Sequence, residues 1–152
     1  MISKKYFIQY EIKEGPYGGG NQFLSALKNQ FKKNGVYSDR PEDADFVLFN
    51  SHHDTSRVIE LKSTCPDKIF IHRVDGPMRL YNDLSDKRDG KVITVNDLVA
   101  DGTVFQSDWS REANKNLGWS PAGKTRIIGN APDPEVFNTT GKSPFREGGK
   151  TR

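Results

Sequence analysis

The chain predicts an α/β domain built on a mainly parallel sheet, and three observations carry that reading. Short aromatic and β-branched stretches alternate with amphipathic ones along most of the 152 residues, which is the pattern of successive strand–helix units. The stretch "ADFVLFNS" (44–51) is a nearly continuous apolar run, as expected of a strand covered on both faces. The connections are short and punctuated by Gly, Pro and Asp, which suits repeated crossovers better than hairpins.

Taken in order, "KYFIQYEI" (5–12) alternates and reads as the first strand. After a run of glycines comes a helix with Phe23, Leu24, Leu27 and Phe31 on one face, with Asn21 available as its cap. Lys32, Lys33 and Gly35 supply its stop signal. A loop rich in Asp, Pro and Glu leads into "FVLFN". Residues 56–63 read as a helix that ends at Cys65-Pro66, and "KIFIHRV" (68–74) as a strand running into the turn signal "DGP". The charged segment from Asp83 to Gly90 reads as loop, and "KVITVNDLVADG" (91–102) as a helix by context. "TVFQS" (103–107) is a short strand. Ser107 caps a helix over "DWSREANKNLG" on which Trp109, Ala113 and Leu117 share a face, with Lys115 and Gly118 closing it. "RIIGN" (126–130) is the last strand. Residues 1–138 form one domain, and 139–152, "TTGKSPFREGGKTR", have the composition of a linker or tail.

Composition narrows the function classes. Nine Phe and five Tyr offset a modest 34% hydrophobic content and supply the large side chains of a core. The net charge of +3 comes from basic and acidic residues interleaved along the chain, so a mixed solvated surface is expected and a nucleic-acid stripe is not. A single cysteine, Cys65, excludes an internal disulfide and fits a reducing, cytoplasmic setting. No stretch reaches the roughly 20 apolar residues of a membrane span.

Two stretches can carry chemistry. In "EGPYGGGNQFLSAL" (14–27), Gly18, Gly19 and Gly20 stand at a helix entrance beyond a strand's carboxyl end, where bare N–H groups and the helix dipole attract phosphate or sugar oxygens. It is neither the dinucleotide fingerprint nor a Walker loop, and a flexible turn explains the glycines equally well. In "HRVDGP" (72–77), His72, Arg73, Asp75 and Gly76 follow another strand. Asp75 can orient a sugar hydroxyl or take its proton, and Arg73 can offset phosphate charge. The alternative is an Asx-type turn with a core histidine. "NSHHD" (50–54) offers His52, His53 and Asp54 but lacks a further metal ligand at suitable distance. "EDAD" (42–45) holds an Asp-x-Asp pair, but ahead of its strand, where it reads as a loop cap.

Four stretches in order, "GPYGGGNQFLSAL", "HRVDGP", "ADGTVFQSDWSREANKNLG" and "IIGNAPDPEVF", resemble the N-terminal half of family-4-type glycosyltransferases (glycosyl transferases group 1-like) of the GT-B fold. The likeness runs from Lys4 to Asn138. It implies one Rossmann-like half of a two-domain enzyme that moves a sugar from a nucleotide-sugar donor to a glycan or other hydroxyl acceptor, with no metal and no cofactor. On this resemblance the N-terminal half chiefly binds the acceptor, while its glycine loop nears the donor's phosphates from the opposite wall. Gly18, Gly19, Gly20, Asn21, His72, Arg73 and Gly76 become substrate-binding. Asp75 falls where related enzymes often carry a histidine and becomes the catalytic candidate. The sequence ends at Arg152, where the C-terminal donor-binding domain with its paired glutamates would begin, so the chain alone is expected to lack turnover. The alternative is a non-catalytic module of the same fold that binds a sugar or a phosphorylated ligand.

Overall fold

A computed structural model of the chain describes residues 3–15, 17–131 and 140; the expected linker or tail over 139–152 otherwise lies outside the described residues. Five strands, β1 (Tyr6–Gln9), β2 (Phe46–Asn50), β3 (Ile69–Val74), β4 (Gly102–Phe105) and β5 (Lys124–Ile127), pair in chain order, and every pairing is parallel. Between them lie α1 (Gly18–Lys33), a single 3-10 turn at Pro41–Asp43, α2 (Thr55–Thr64), α3 (Met78–Tyr81), α4 (Arg88–Val99) and α5 (Asp108–Asn116). The expected α/β domain with a parallel, Rossmann-like sheet is what the chain forms.

Strand alternation divides the core between two faces. Val47, Phe49 and Phe70 point to the side of α2 and α4, where Val58, Leu61, Val95 and Val99 close over them. Further along that face Val74, Val92, Phe105 and Trp119 make a second cluster, with Trp119 following α5. Tyr6 and Phe46 point the other way and stack at 5.0 Å, and Phe31 of α1 stacks on Tyr6 at 4.7 Å. The domain therefore has three layers, with α1 on one face and α2 and α4 on the other.

One small feature sets the topology. Tyr6 pairs with β2 on one side and forms a parallel bridge to Tyr37 on the other, where its N–H donates to Val36 and its carbonyl accepts from Ser38. After α1 the chain first touches the outer edge of β1, then crosses back to β2 on the inner side. The winding direction reverses there, and right-handed crossovers put α1 and α2 on opposite faces. The reversal opens a crevice beyond the carboxyl ends of β1 and β2.

Three local expectations differ from the structure. Asn21 does not cap α1: the helix begins at Gly18, its N-cap is Tyr17, and no side chain caps it. The segment 83–90 is not all loop, because α4 starts at Arg88. Its charges serve as local caps, with Asp89 accepting from the Met78 and Arg79 N–H groups (2.7 and 3.1 Å) and Asp86 from that of Arg88 (2.9 Å). On α5 the buried residues are Ser110, Ala113 and Asn114, while Trp109 is 50% exposed. The Ser107 cap is present, accepting from the Ser110 N–H at 3.0 Å.

Candidate functional site

Arg73 leaves β3 on the α1 face and is 2% exposed. A buried charge needs partners on every donor, and this one draws them from four segments. Its Nη1 donates to Asn50 Oδ1 at the end of β2 (2.5 Å) and to Asp75 Oδ1 (2.7 Å). Its Nη2 donates to Gln106 Oε1 after β4 (3.1 Å) and to Asn130 Oδ1 after β5 (2.9 Å). Phe23 of α1 lies against the guanidinium at 4.7 Å. Both terminal nitrogens are thus fully used, and the expected role of a free fork for phosphate does not fit. Arg73 gathers the carboxyl ends of four strands and holds Asp75.

Asp75 stays at the lip, with its side chain 21% exposed. Its Oδ2 accepts from Ser51 Oγ at 2.9 Å, and its own N–H donates back to that oxygen at 3.1 Å. Ser51 is a non-glycine residue in the left-handed region (φ 45°), and Asp54, which starts α2, is another (φ 51°). Such conformations persist only where the surroundings over-determine them. At Ser51 the N–H donates to the Arg73 carbonyl (2.8 Å), and the carbonyl accepts from His72 Nε2 (3.0 Å).

His72, next to Arg73, points to the opposite face of the sheet. It is fully buried and stacks on Phe49 at 4.4 Å. Asn96 donates to its Nδ1 at 3.0 Å, so the ring proton sits on Nε2 and goes to Ser51. Burial pushes its pKa down to about 4, keeping it neutral. The expectation that His72 contacts substrate is corrected here. It is the core histidine of the alternative reading, and it positions Ser51.

The glycines close the mouth from the α1 side. Gly18 has φ +75° and requires its residue type, whereas a Cβ on Gly18 or Gly19 would meet nothing within 4 Å. A Cβ on Gly20 would lie 3.6 Å from Asn50 Nδ2 and 3.9 Å from Asp75 Oδ2, an ordinary contact. The space above Gly18 and Gly19 is open, and the first turn of α1 has no acidic residue to answer its dipole. Asn21, 2% exposed, is pinned to the loop after β1: its Oδ1 accepts from the Lys13 N–H and its Nδ2 donates to the Lys13 carbonyl, both at 2.8 Å. Buried and paired with that loop, it shapes the site from beneath.

Beside Asp75, at the crevice, lies a cleft of about 240 Å³ lined by Tyr10, Glu11, Lys13, Tyr17, His53 and Asp54. Tyr10 is pushed up in pKa by burial and by the charge of Asp75, and His53 is pushed down by burial, with Asp75 opposing. Tyr10 meets His53 edge-on at 5.1 Å. Sequence reasoning singled out neither Tyr10 nor Ser51. The signal available was position alone, since each follows the end of a strand flanking the crevice. Among the described residues no three His, Cys, Asp or Glu side chains come together to hold a metal ion, His52, His53 and Asp54 included. Asp45 of the Asp-x-Asp pair accepts from Lys4 Nζ and the Lys5 N–H, both at 2.8 Å, just ahead of β1 and β2 and so at the opposite end of the sheet.

Gly76 completes the lip. A Cβ there would meet Trp109 Cζ3 at 2.4 Å and the Tyr81 hydroxyl at 2.7 Å, so its requirement is packing against two aromatic side chains. Comparison with known protein families, curated proteins and solved structures finds no match for this chain.

Proposed function

We propose that this chain is the acceptor-side domain of a glycosyltransferase that moves a sugar from a nucleotide-sugar to a hydroxyl acceptor, without a metal as the resemblance implies. One observation carries the reading. The four stretches behind the resemblance, far apart in sequence, meet at one ion pair. Gly20 and Phe23 come from the first, Arg73 and Asp75 from the second, Gln106 from the third and Asn130 from the fourth. On this reading the uncapped N-terminus of α1 faces the donor's pyrophosphate across a cleft completed by a second domain. The exposed edge of Asp75 accepts a hydrogen bond from the acceptor hydroxyl, and Arg73 and Ser51 hold that carboxylate in place.

The test is transfer by the chain joined to a donor-binding half, assayed as nucleotide release from UDP-, GDP- and ADP-sugars. The chain alone is expected to give none. In the joined protein Gly19→Val and Asp75→Asn should each lower the rate by roughly ten- to a thousand-fold while the fold persists. Turnover by the isolated chain, or unchanged transfer by both variants, defeats the proposal. The second reading is a non-catalytic sugar- or phosphate-binding module of the same fold, and binding without transfer in the joined protein would select it.

A further inference from the structure

Trp109 and Tyr81 are 50% and 59% exposed, and they come from different elements, the first turn of α5 and the end of α3. Two half-exposed aromatic side chains placed together need an explanation, because each could bury more area elsewhere. They meet edge to face with centroids 5.8 Å apart, directly over Gly76. Gly76 has no positive φ, so its backbone would accept any residue. A side chain there would push the outer ends of both rings aside, so the missing Cβ is what lets the pair close over the main chain at the lip of the site. Asp75 immediately precedes Gly76 in the chain, and its carboxylate is partly exposed.

From this juxtaposition we infer that Trp109 and Tyr81 are a stacking platform for a pyranose ring of a carbohydrate acceptor, which would deliver a hydroxyl to Asp75. The inference rests on the glycosyltransferase reading and names its acceptor class. A pyranose has an apolar C–H face that suits an aromatic surface, and hydroxyls at its rim that suit a carboxylate. An apolar protein or lipid surface would cover the exposed edge of the Asp75 carboxylate without offering donors, and desolvating it uncompensated is costly.

The chain provides its own reporter. Trp119 is 7% exposed and Trp109 is 50% exposed, so a ligand at the lip changes the emission of Trp109 alone. Titration of the full chain with trisaccharides of glucose, mannose, galactose and N-acetylglucosamine should give a saturable change with at least one of them. Trp109→Phe should retain binding, read by isothermal calorimetry, whereas Trp109→Ala and Tyr81→Ala should weaken it tenfold or more. Both positions are exposed, so circular dichroism should stay that of the parent. Gly76→Ala should weaken binding by displacing the pair. No saturable change with any trisaccharide overturns the platform, as does equal affinity in both alanine variants. Trp109-dependent binding to phospholipid vesicles in place of sugar would overturn it as well. Sugar binding lost in Trp109→Ala, without transfer by the joined protein, would keep the platform and sink the transferase reading. Transfer insensitive to Trp109→Ala would sink the platform alone.

Discussion

His72 and Arg73 are neighbours on one strand, both buried, and the fold treats them in opposite ways. His72 faces the apolar side under α4 and meets Phe49, Asn96 and one carbonyl. Among the described residues no carboxylate hydrogen-bonds to it, and burial removes its charge. Arg73 faces the side of α1, keeps a carboxylate at 2.7 Å and takes three amide oxygens besides. The same depth of burial thus yields a neutral strut on one face and a charged hub on the other. What decides between them is whether the opposing segments bring an acceptor of matching charge.

The largest expected effect comes from breaking the charged side. Arg73→Ala should cost about 3–5 kcal/mol, because Asp75 loses its counter-charge and three amides lose their donor. Urea unfolding reads this directly, and a loss below about 1 kcal/mol would show the hub to be decorative.

The neutral side is sharpened by pH. The folded pKa of His72, about 4, lies below the usual value of 6.5. Between these values the unfolded chain binds a proton that the folded chain refuses, so stability should fall as pH drops from about 6.5 towards 4. The shift of roughly 2.5 units corresponds to about 3 kcal/mol once pH is below the folded value. Urea midpoints for wild type and His72→Gln across that window should converge as the acid limit is approached. Parallel curves would mean that His72 does not govern the slope.

A smaller effect is expected one contact further out. Asn96 donates to His72 at 3.0 Å and to Thr103 Oγ1 at 2.8 Å, and Asn96→Ala should cost about 1–3 kcal/mol. A loss as large as that of Arg73→Ala would erase the distinction between the two faces.

The smallest effects separate two adjacent glycines at the mouth. Gly18→Ala forces a left-handed φ on an L-residue and should cost about 1–2 kcal/mol. Gly19→Ala meets open space at a helix start and should be neutral or slightly stabilising. If both proved equally harmful, the loop would be constrained by something other than its backbone angle.

How much of this was legible beforehand follows from the range of each force. "FVLFN" announced a strand covered on both faces because hydrophobic runs are local, and Ser107 announced a cap because its partner is three residues away. Asn21 and Trp109 differ from their local signal for the complementary reason. Their local context suits a cap and a helix core, but their partners are Lys13, eight positions away, and Gly76, thirty-three positions away. The alternative reading of "HRVDGP" named a core histidine. Only the pairing register, with Phe49 opposite His72 and Asn50 opposite Arg73, shows which of the two residues faces the mouth.

By itself, then, the sequence determined the strand–helix alternation, the parallel sheet it implies and the stretches that gather at one end of it. Those properties depend on periodicity and turn chemistry, which act within a few residues. Tertiary structure alone decided that Arg73 is a hub, that His72 is neutral, that Ser51 is held in a left-handed conformation and that Gly76 seats two aromatic rings. Each of these depends on which distant group arrives to share a buried charge, a proton or a volume. No local pattern encodes that arrival, because the partners come from other strand–helix units of the chain.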